Sequence, residues 1–242
     1  MKTFIFSEHW YILLIMAILS YLLGGLSGAV FISTSVKHED IREKGSGNPG
    51  TMNMARAYGF WFGFFTFMFD AVKGVVVSLI GYLVYRNYQI NGINAGDFAC
   101  YLNGLCVVLG HIYPVFKKFK GGKGIATTCG VFSLGLITQS LWFILIIPIV
   151  YFLTLVFIYF VEYGSLASLL LISVLAITQL VLFVVEYASV NSNWIISLYA
   201  FAFLICALDW YAHRENVKRL LAGEEHKTSL KAMLKKKKSK NT

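Results

Sequence analysis

Residues 141–161 read LWFILIIPIVYFLTLVFIYFV, a run in which no side chain is charged. A helix rising 1.5 Å per residue needs about 20 such positions to cross roughly 30 Å of hydrocarbon, where no water can pair a free backbone N–H or C=O. Comparable apolar stretches fall near residues 9–33, 59–85, 96–114, 124–138, 166–187 and 193–212, and 124–138 is the shortest of them. The expected fold is therefore all-α: a polytopic integral membrane protein with seven transmembrane helices. Residues 1–226 form a single transmembrane domain, followed by a basic tail over 227–242. The composition agrees, being 57% hydrophobic and 14% charged with a mean hydropathy of +0.67, far from the mixture of a water-soluble domain. The first apolar run is too long to be the core of a secretory signal.

A formal net charge of +9 could suggest nucleic acid, but that would require a soluble basic face or a binding motif. Here the Lys and Arg lie between apolar spans, so no nucleic-acid partner is expected. The cysteines, Cys100, Cys106, Cys129 and Cys206, form no CxxC pair and fall in or beside apolar segments, where thiols behave as small inert hydrophobes. Neither a disulfide nor a metal site is expected, and no cofactor.

The basic residues set the orientation, because cytoplasmic loops carry the excess of Lys and Arg. The first loop holds Lys37, Arg42, Lys44 and Arg56, and the third holds Lys117, Lys118, Lys120 and Lys123. The C-terminal segment adds Arg214, Lys218, Arg219, Lys227, Lys231, Lys235–Lys238 and Lys240, whereas the alternate loops offer only Arg86. With seven spans the rich segments share one face, which puts the N-terminus outside and the C-terminus in the cytoplasm. The Lys235–Lys238 run reads as a solvated tail drawn to anionic lipid.

Three polar blocks lie on that face. The first, Gly45-Ser46-Gly47-Asn48-Pro49-Gly50-Thr51-Met52-Asn53 with Arg56, precedes the second span. Its glycines allow successive N–H groups to form an anion-binding nest ahead of a helix start, although the same residues also make ordinary turns. The run has no GK[ST] and follows no strand, so it is neither a Walker A loop nor a dinucleotide fingerprint. The second block runs from Gly110-His111-Ile112-Tyr113-Pro114 to Phe119-Lys120-Gly121-Gly122-Lys123-Gly124. Pro114 and the paired glycines stop a helix, and Lys123 between two glycines reads as a ligand for an anion rather than a membrane anchor. The third block, His213 to Glu225, follows the last span with helical spacing, so that His213, Asn216 and Leu220 share one side. A lone boundary His is usually structural. Beside an Asn and opposite two anion loops, it becomes a candidate proton carrier or phosphate-oxygen donor.

Together the three blocks resemble the bacterial acyl-phosphate-dependent glycerol-3-phosphate acyltransferases, seven-helix enzymes that make lysophosphatidic acid. The match rests on GSGNPG at 45–50 with Asn53 and Arg56, GHIYPVF and FKGGKGIAT within 110–127, HRENVKRLLAGEE at 213–225, and the weaker SLAS at 165–168. The resemblance implies acyl transfer from acyl phosphate to the sn-1 hydroxyl of glycerol 3-phosphate, the first step of phospholipid synthesis. It places the site on the cytoplasmic side of a bacterial cell membrane, with membrane lipid around the protein and a functional link to the soluble phosphate acyltransferase that makes the donor. It gives catalytic roles to His213, Asn216 and Ser46. Substrate contacts fall to Ser46, Arg56, Lys123, His213, Asn216 and Asn53, with Gly47, Asn48, Gly121 and Gly122 lining the phosphate pocket. The family usually has Ala-Thr where this chain has Thr51-Met52, and Ser where it has Gly25, which leaves the hydroxyl contribution near position 52 open.

An acyl phosphate is already activated, so the protein has chiefly to bring two anions together. Arg56 and Lys123 are expected to bind glycerol phosphate, while Ser46 and the glycine loops hold the acyl phosphate. Either His213 or a substrate phosphate oxygen takes the alcohol proton, with Asn216 orienting whichever acts. The absence of GxSxG and of a Cys beside a His fits direct transfer without an acyl-enzyme. One rival is a transporter of a phosphorylated solute, for which midplane charge is the usual sign; Asp70 and Lys73 are the candidates, and their i, i+3 spacing allows mutual neutralisation. A second rival, a transferase using a nucleotide-activated lipid and paired magnesium ions, needs clustered carboxylates, whereas Asp70, Asp97 and Asp209 are scattered.

Overall fold

The computed structural model describes residues 1–230 and 233. Its helices are α1 (Phe6–Gly24), α2 (Gly28–Lys37), α3 (Thr51–Tyr58), α4 (Phe60–Tyr85), α5 (Ala95–Ile112), α6 (Ile125–Gln139), α7 (Phe143–Val161), α8 (Gly164–Glu186), α9 (Trp194–Ala212) and α10 (Arg214–Leu221). Among the described residues six helices, α1, α4, α5, α7, α8 and α9, are long and apolar enough to cross a membrane. α6, with 15 residues, reaches about 22 Å, less than a bilayer core.

α5 and α6 form the centre, and most of their side chains are buried. Glycines let the surrounding helices approach this centre at backbone distance. Gly110 of α5 lies against the Tyr21 carbonyl of α1, and Gly130 of α6 against the Ala71 carbonyl of α4, leaving no room for a Cβ at either crossing. α7 is the reverse: only Ile147 and Ile158 are buried, and Leu145, Ile149, Phe152 and Leu153 face outward. Such an apolar exterior is what lipid, not water, would solvate.

The expected first span, 9–33, is broken. α1 closes at Gly24, and α2 restarts after Ser27, whose Oγ accepts the Val30 N–H at 3.4 Å as an N-cap. The break is held from α4. Lys73 Nζ donates to the carbonyls of Gly24 (3.1 Å) and Leu26 (2.6 Å) and to Asp70 Oδ1 (2.8 Å), and the same Asp70 oxygen accepts the Gly28 N–H at 3.2 Å. The expected Asp70–Lys73 pairing is therefore present, but its task is to satisfy backbone groups freed at the break.

A small sheet was not foreseen by the all-α reading. β1 (Lys2–Thr3) runs parallel to β2 (Tyr88–Ile90), which turns back as β3 (Ile93–Asn94) through Asn91 and Gly92, both at positive φ (46° and 90°). This is the left-handed geometry that an Asn-Gly hairpin supplies. The hairpin meets the α8–α9 connection, where the Tyr187 hydroxyl binds Asp97 Oδ2 at 2.6 Å and receives the Asn94 N–H at 3.3 Å. The chain's N-terminus thus sits at one end of the bundle and the three polar blocks at the other.

The start of the expected basic tail, from residue 227, packs on the domain. Thr228, Leu230 and Met233 are buried, the latter two against Ala55, Ile158 and Ala167, and the Thr228 N–H donates to Glu162 O at 2.6 Å. Apolar residues three apart bring the start of the basic tail back onto the domain. The Lys231, Lys235–Lys238 and Lys240 charges lie outside the described residues.

Candidate active site

The first block folds around Asn53. This buried side chain accepts the Ser46 N–H at 3.2 Å and donates to the carbonyls of Ile41 (3.3 Å) and Lys44 (2.9 Å). Gly45, at φ +58°, packs against its Oδ1 where a Cβ could not fit. Asn53, one of the residues expected to touch substrate, thus shapes the loop through its amide and also borders the apolar chamber between α4, α7 and α8. The loop is also not the anion nest its glycines suggested, because Gly47 N–H donates to Lys44 O (3.0 Å) and Gly50 N–H to Asn48 O (2.9 Å). The loop sets the side chains of Ser46 and Asn48 at the start of α3, and α3 then carries Arg56.

The second block behaves alike. Gly121 N–H donates to Ile112 O and Gly122 N–H to His111 O, both at 3.1 Å, so these glycines tie the loop back onto the end of α5 and deliver Lys123 rather than N–H groups. The Lys123 ammonium is hydrogen-bonded to Asn216 Oδ1 on α10. Burial lowers its pKa to about 8, with Arg219 and Arg56 pushing in the same direction and Glu225 opposing them.

His213 and Asn216 project together, as the helical spacing requires. His213 Nδ1 lies 2.8 Å from the Asp209 carbonyl, which can only accept, so the ring proton is assigned to Nδ1 and the Nε2 lone pair is free. Burial first, and the nearby Lys123 charge second, hold this imidazole well below its ordinary range, at about 4, against an opposing pull from the Asp209 backbone. It is neutral at pH 7.

The hub of the cluster is a residue the sequence reading passed over. Glu225 accepts from Asn216 Nδ2 (2.7 Å), Ser165 Oγ (2.9 Å) and Arg219 Nε (2.9 Å). Burial would raise its carboxyl; the three hydrogen bonds outweigh burial and hold it below the usual range. The available signal was its place in the GEE stretch, nine residues past Asn216. Arg56 and Lys123 both feel the field of Glu225, so three cations, Arg56, Lys123 and Arg219, surround one carboxylate.

Two cavities meet here. A vestibule of about 930 Å³ is lined by Arg42, Lys117, Lys118, Lys120, Arg214 and Arg219. A chamber of about 340 Å³ opens between α4, α7 and α8, lined by Phe60, Phe64, Phe67, Leu155, Ile158 and Leu171. Ser46, Asn48, Lys123 and Asn216 line both cavities, while Arg56, His213, Ser165 and Glu225 line the chamber side. A polar basin thus joins an apolar slot through a throat of donors. Gly47 and Gly121 face the vestibule only, and Gly122 lines neither cavity.

The family model for glycerol-3-phosphate acyltransferase matches residues 14–223, taking in all three loops that form the throat. The chain belongs to the glycerol-3-phosphate acyltransferase family. Relatives in this family include the enzyme of Finegoldia magna, 34% identical over 215 residues that cover 89% of this chain and 96% of the relative. The enzyme of Thermoanaerobacter sp. strain X514 is 33% identical over 225 residues, covering 90% and 97%. The fold is similar to that of PlsY (YgiH), an integral membrane glycerol 3-phosphate acyltransferase solved in a glycerol 3-phosphate form. That match has a TM-score of 0.69 and 32% identity, covering 92% of this chain and 98% of the other. A lysophosphatidic acid form of the same protein matches with a TM-score of 0.65 and 31% identity. The acyltransferase assignment and a multi-pass membrane architecture follow.

Proposed function

We propose that the chain transfers an acyl group from acyl phosphate to the sn-1 hydroxyl of glycerol 3-phosphate, giving 1-acyl-glycerol 3-phosphate and phosphate. The observation that carries this reading is the throat: one set of residues, Ser46, Asn48, Lys123 and Asn216, borders both the basic vestibule and the apolar chamber. A water-soluble dianion suits the first cavity and an acyl chain the second, so their reactive ends would meet between them. Occupied glycerol 3-phosphate and lysophosphatidic acid forms of PlsY supply substrate and product of the same class.

In this account Arg56 and Lys123 bind the glycerol 3-phosphate phosphate, and the net positive balance around Glu225 tolerates a second phosphate on the donor. Ser46 and Asn48 contribute side-chain donors. The alcohol attacks the acyl carbonyl, the acyl C–O bond forms, and inorganic phosphate departs with the electron pair of the broken bond. The alcohol proton goes to His213 Nε2 or to a phosphate oxygen. Asn216, between Lys123 and Glu225, keeps the ammonium aimed at the throat. The 340 Å³ chamber opens past exposed Phe64, Met68 and Leu155, which gives the chain's tail a path into lipid.

Seven crossings complete the proposal, with the broken α1–α2 pair as the first and the short α6 shielded among its neighbours. The N-terminus is then outside, and the throat and C-terminus are cytoplasmic, in agreement with the positive loops. The setting is a bacterial cell membrane, downstream of a soluble phosphate acyltransferase that makes the donor. The transporter alternative loses its main support, since Asp70 and Lys73 are engaged with backbone groups at the helix break rather than free in a solute path. Purified protein in lipid, given acyl phosphate and labelled glycerol 3-phosphate, is expected to form lysophosphatidic acid; acyl-CoA in parallel is expected not to. Product from acyl-CoA alone would overturn the donor assignment.

A further inference from the structure

Beneath the throat lies a buried polar group that the reaction above does not use. His111, near the end of α5, is 6% exposed and borders the chamber. Its Nδ1 is 2.8 Å from Lys73 Nζ, which also holds Asp70 and the carbonyls of Gly24 and Leu26. An ammonium can only donate, and its three protons serve the nearest acceptors, Leu26 O (2.6 Å), Asp70 Oδ1 (2.8 Å) and His111 Nδ1 (2.8 Å), with Gly24 O at 3.1 Å sharing one of them; Nδ1 therefore accepts and the ring proton is assigned to Nε2. That edge of the ring faces Gly122: a Cβ built on Gly122 would land on His111 Nε2, with Cε1 3.0 Å and Cδ2 3.1 Å away. The backbone of the same two residues is joined as well, through Gly122 N–H to His111 O at 3.1 Å. The imidazole is therefore the bed of the Gly121–Gly122 turn, and the residue that follows the turn is Lys123.

We propose that His111 is a positioning residue for glycerol 3-phosphate binding: locked by Lys73 and Asp70, its ring sets the height of the Gly121–Gly122 turn and hence where Lys123 enters the throat. The proposal rests on Lys123 binding the glycerol 3-phosphate phosphate, as argued above. It also gives the α1–α2 break a second task, because the clamp that closes the break is the one that orients the ring.

The test is steady-state kinetics of the purified, lipid-reconstituted protein with acyl phosphate and glycerol 3-phosphate varied separately. His111→Asn keeps an acceptor where Nδ1 was, so Lys73 stays paired, but removes the half of the ring under Gly122. It is expected to raise KM for glycerol 3-phosphate about tenfold, leaving KM for acyl phosphate near the wild-type value. His111→Gln, which returns an N–H donor near the Nε2 position, is expected to recover most of that loss. Gly122→Ala forces the turn off the ring and should raise the same KM; combined with His111→Asn, the two losses should be less than multiplicative because they act at one contact. A monodisperse His111→Asn protein with both KM values unchanged would overturn the proposal, as would multiplicative losses. Should His111→Asn fail to insert, an unchanged KM in Gly122→Ala overturns it. Wild-type protein that makes no lysophosphatidic acid would instead defeat the underlying functional reading.

Discussion

The His213 imidazole and the Lys123 ammonium titrate in opposite senses relative to their tasks. Lys123, lowered to about 8 by burial, carries its charge below that pH and loses it above. His213, lowered to about 4, is a neutral acceptor everywhere above that pH. For the free enzyme, kcat/KM for glycerol 3-phosphate should therefore fall as pH rises through about 8, and a limb near about 6 belongs to the second ionisation of the substrate phosphate rather than to His213. The hydrogen bonds from Asn216, Ser165 and Arg219 hold the Glu225 carboxyl below its usual range, while burial lowers the Arg56 guanidinium. A pH profile checks this, and Lys123→Arg, which cannot deprotonate, should move the basic limb upward in whatever activity it retains. Glu225 makes a second prediction. Its replacement by Ala leaves Arg219, Asn216 and Ser165 without their shared acceptor, at a cost of about 2–3 kcal/mol, readable as a lowered thermal midpoint in detergent, whereas Glu225→Gln should keep much of it. That Ser46, Arg56, Lys123, His213 and Asn216 gather at one chamber was legible in the sequence through the three polar blocks and the family resemblance they carry. Glu225 was not, since its value lies in three hydrogen bonds that only the fold brings together.

At the level of elements, the glycine patterns take the turn alternative of their two readings rather than the anion nest. They marked the turns correctly, but spacing cannot say which carbonyl accepts each N–H, and the N–H groups of Gly47, Gly50, Gly121 and Gly122 are all engaged within the protein. The break between α1 and α2 was hidden for a related cause. Gly24-Gly25 is a turn signal, but membrane helices tolerate glycine and the flanking residues stay apolar, while the partner that stabilises the freed carbonyls, Lys73, is far away in sequence. Removing that partner tests the clamp. Lys73→Met leaves Asp70 buried without its cation and should destabilise by about 3–5 kcal/mol, while the Asp70→Asn/Lys73→Met double variant should lose less. Thermal unfolding in detergent compares the two. Equal losses would mean that the backbone contacts of Lys73, not its pairing with Asp70, dominate.

For the whole molecule, the spans were the most legible feature. Length and hydropathy suffice where each helix must satisfy its own backbone, and the observed bounds of α4 to α9 fall within a few residues of those expected. The terminal strand β1 and the return of Leu230 and Met233 were beyond such reasoning, because both depend on contacts between segments distant in the chain. What the assembled molecule adds is the junction of two unlike cavities at Lys123, and the catalytic account depends on that junction. The most direct test is the specific activity of purified Lys123→Ala in lipid, with acyl phosphate and glycerol 3-phosphate as substrates and monodispersity as the control for folding. A loss of about 100-fold or more with insertion intact is predicted, corresponding to about 2.7 kcal/mol of lost charge-assisted binding at the throat. Undiminished activity in a well-folded Lys123→Ala protein would contradict the account.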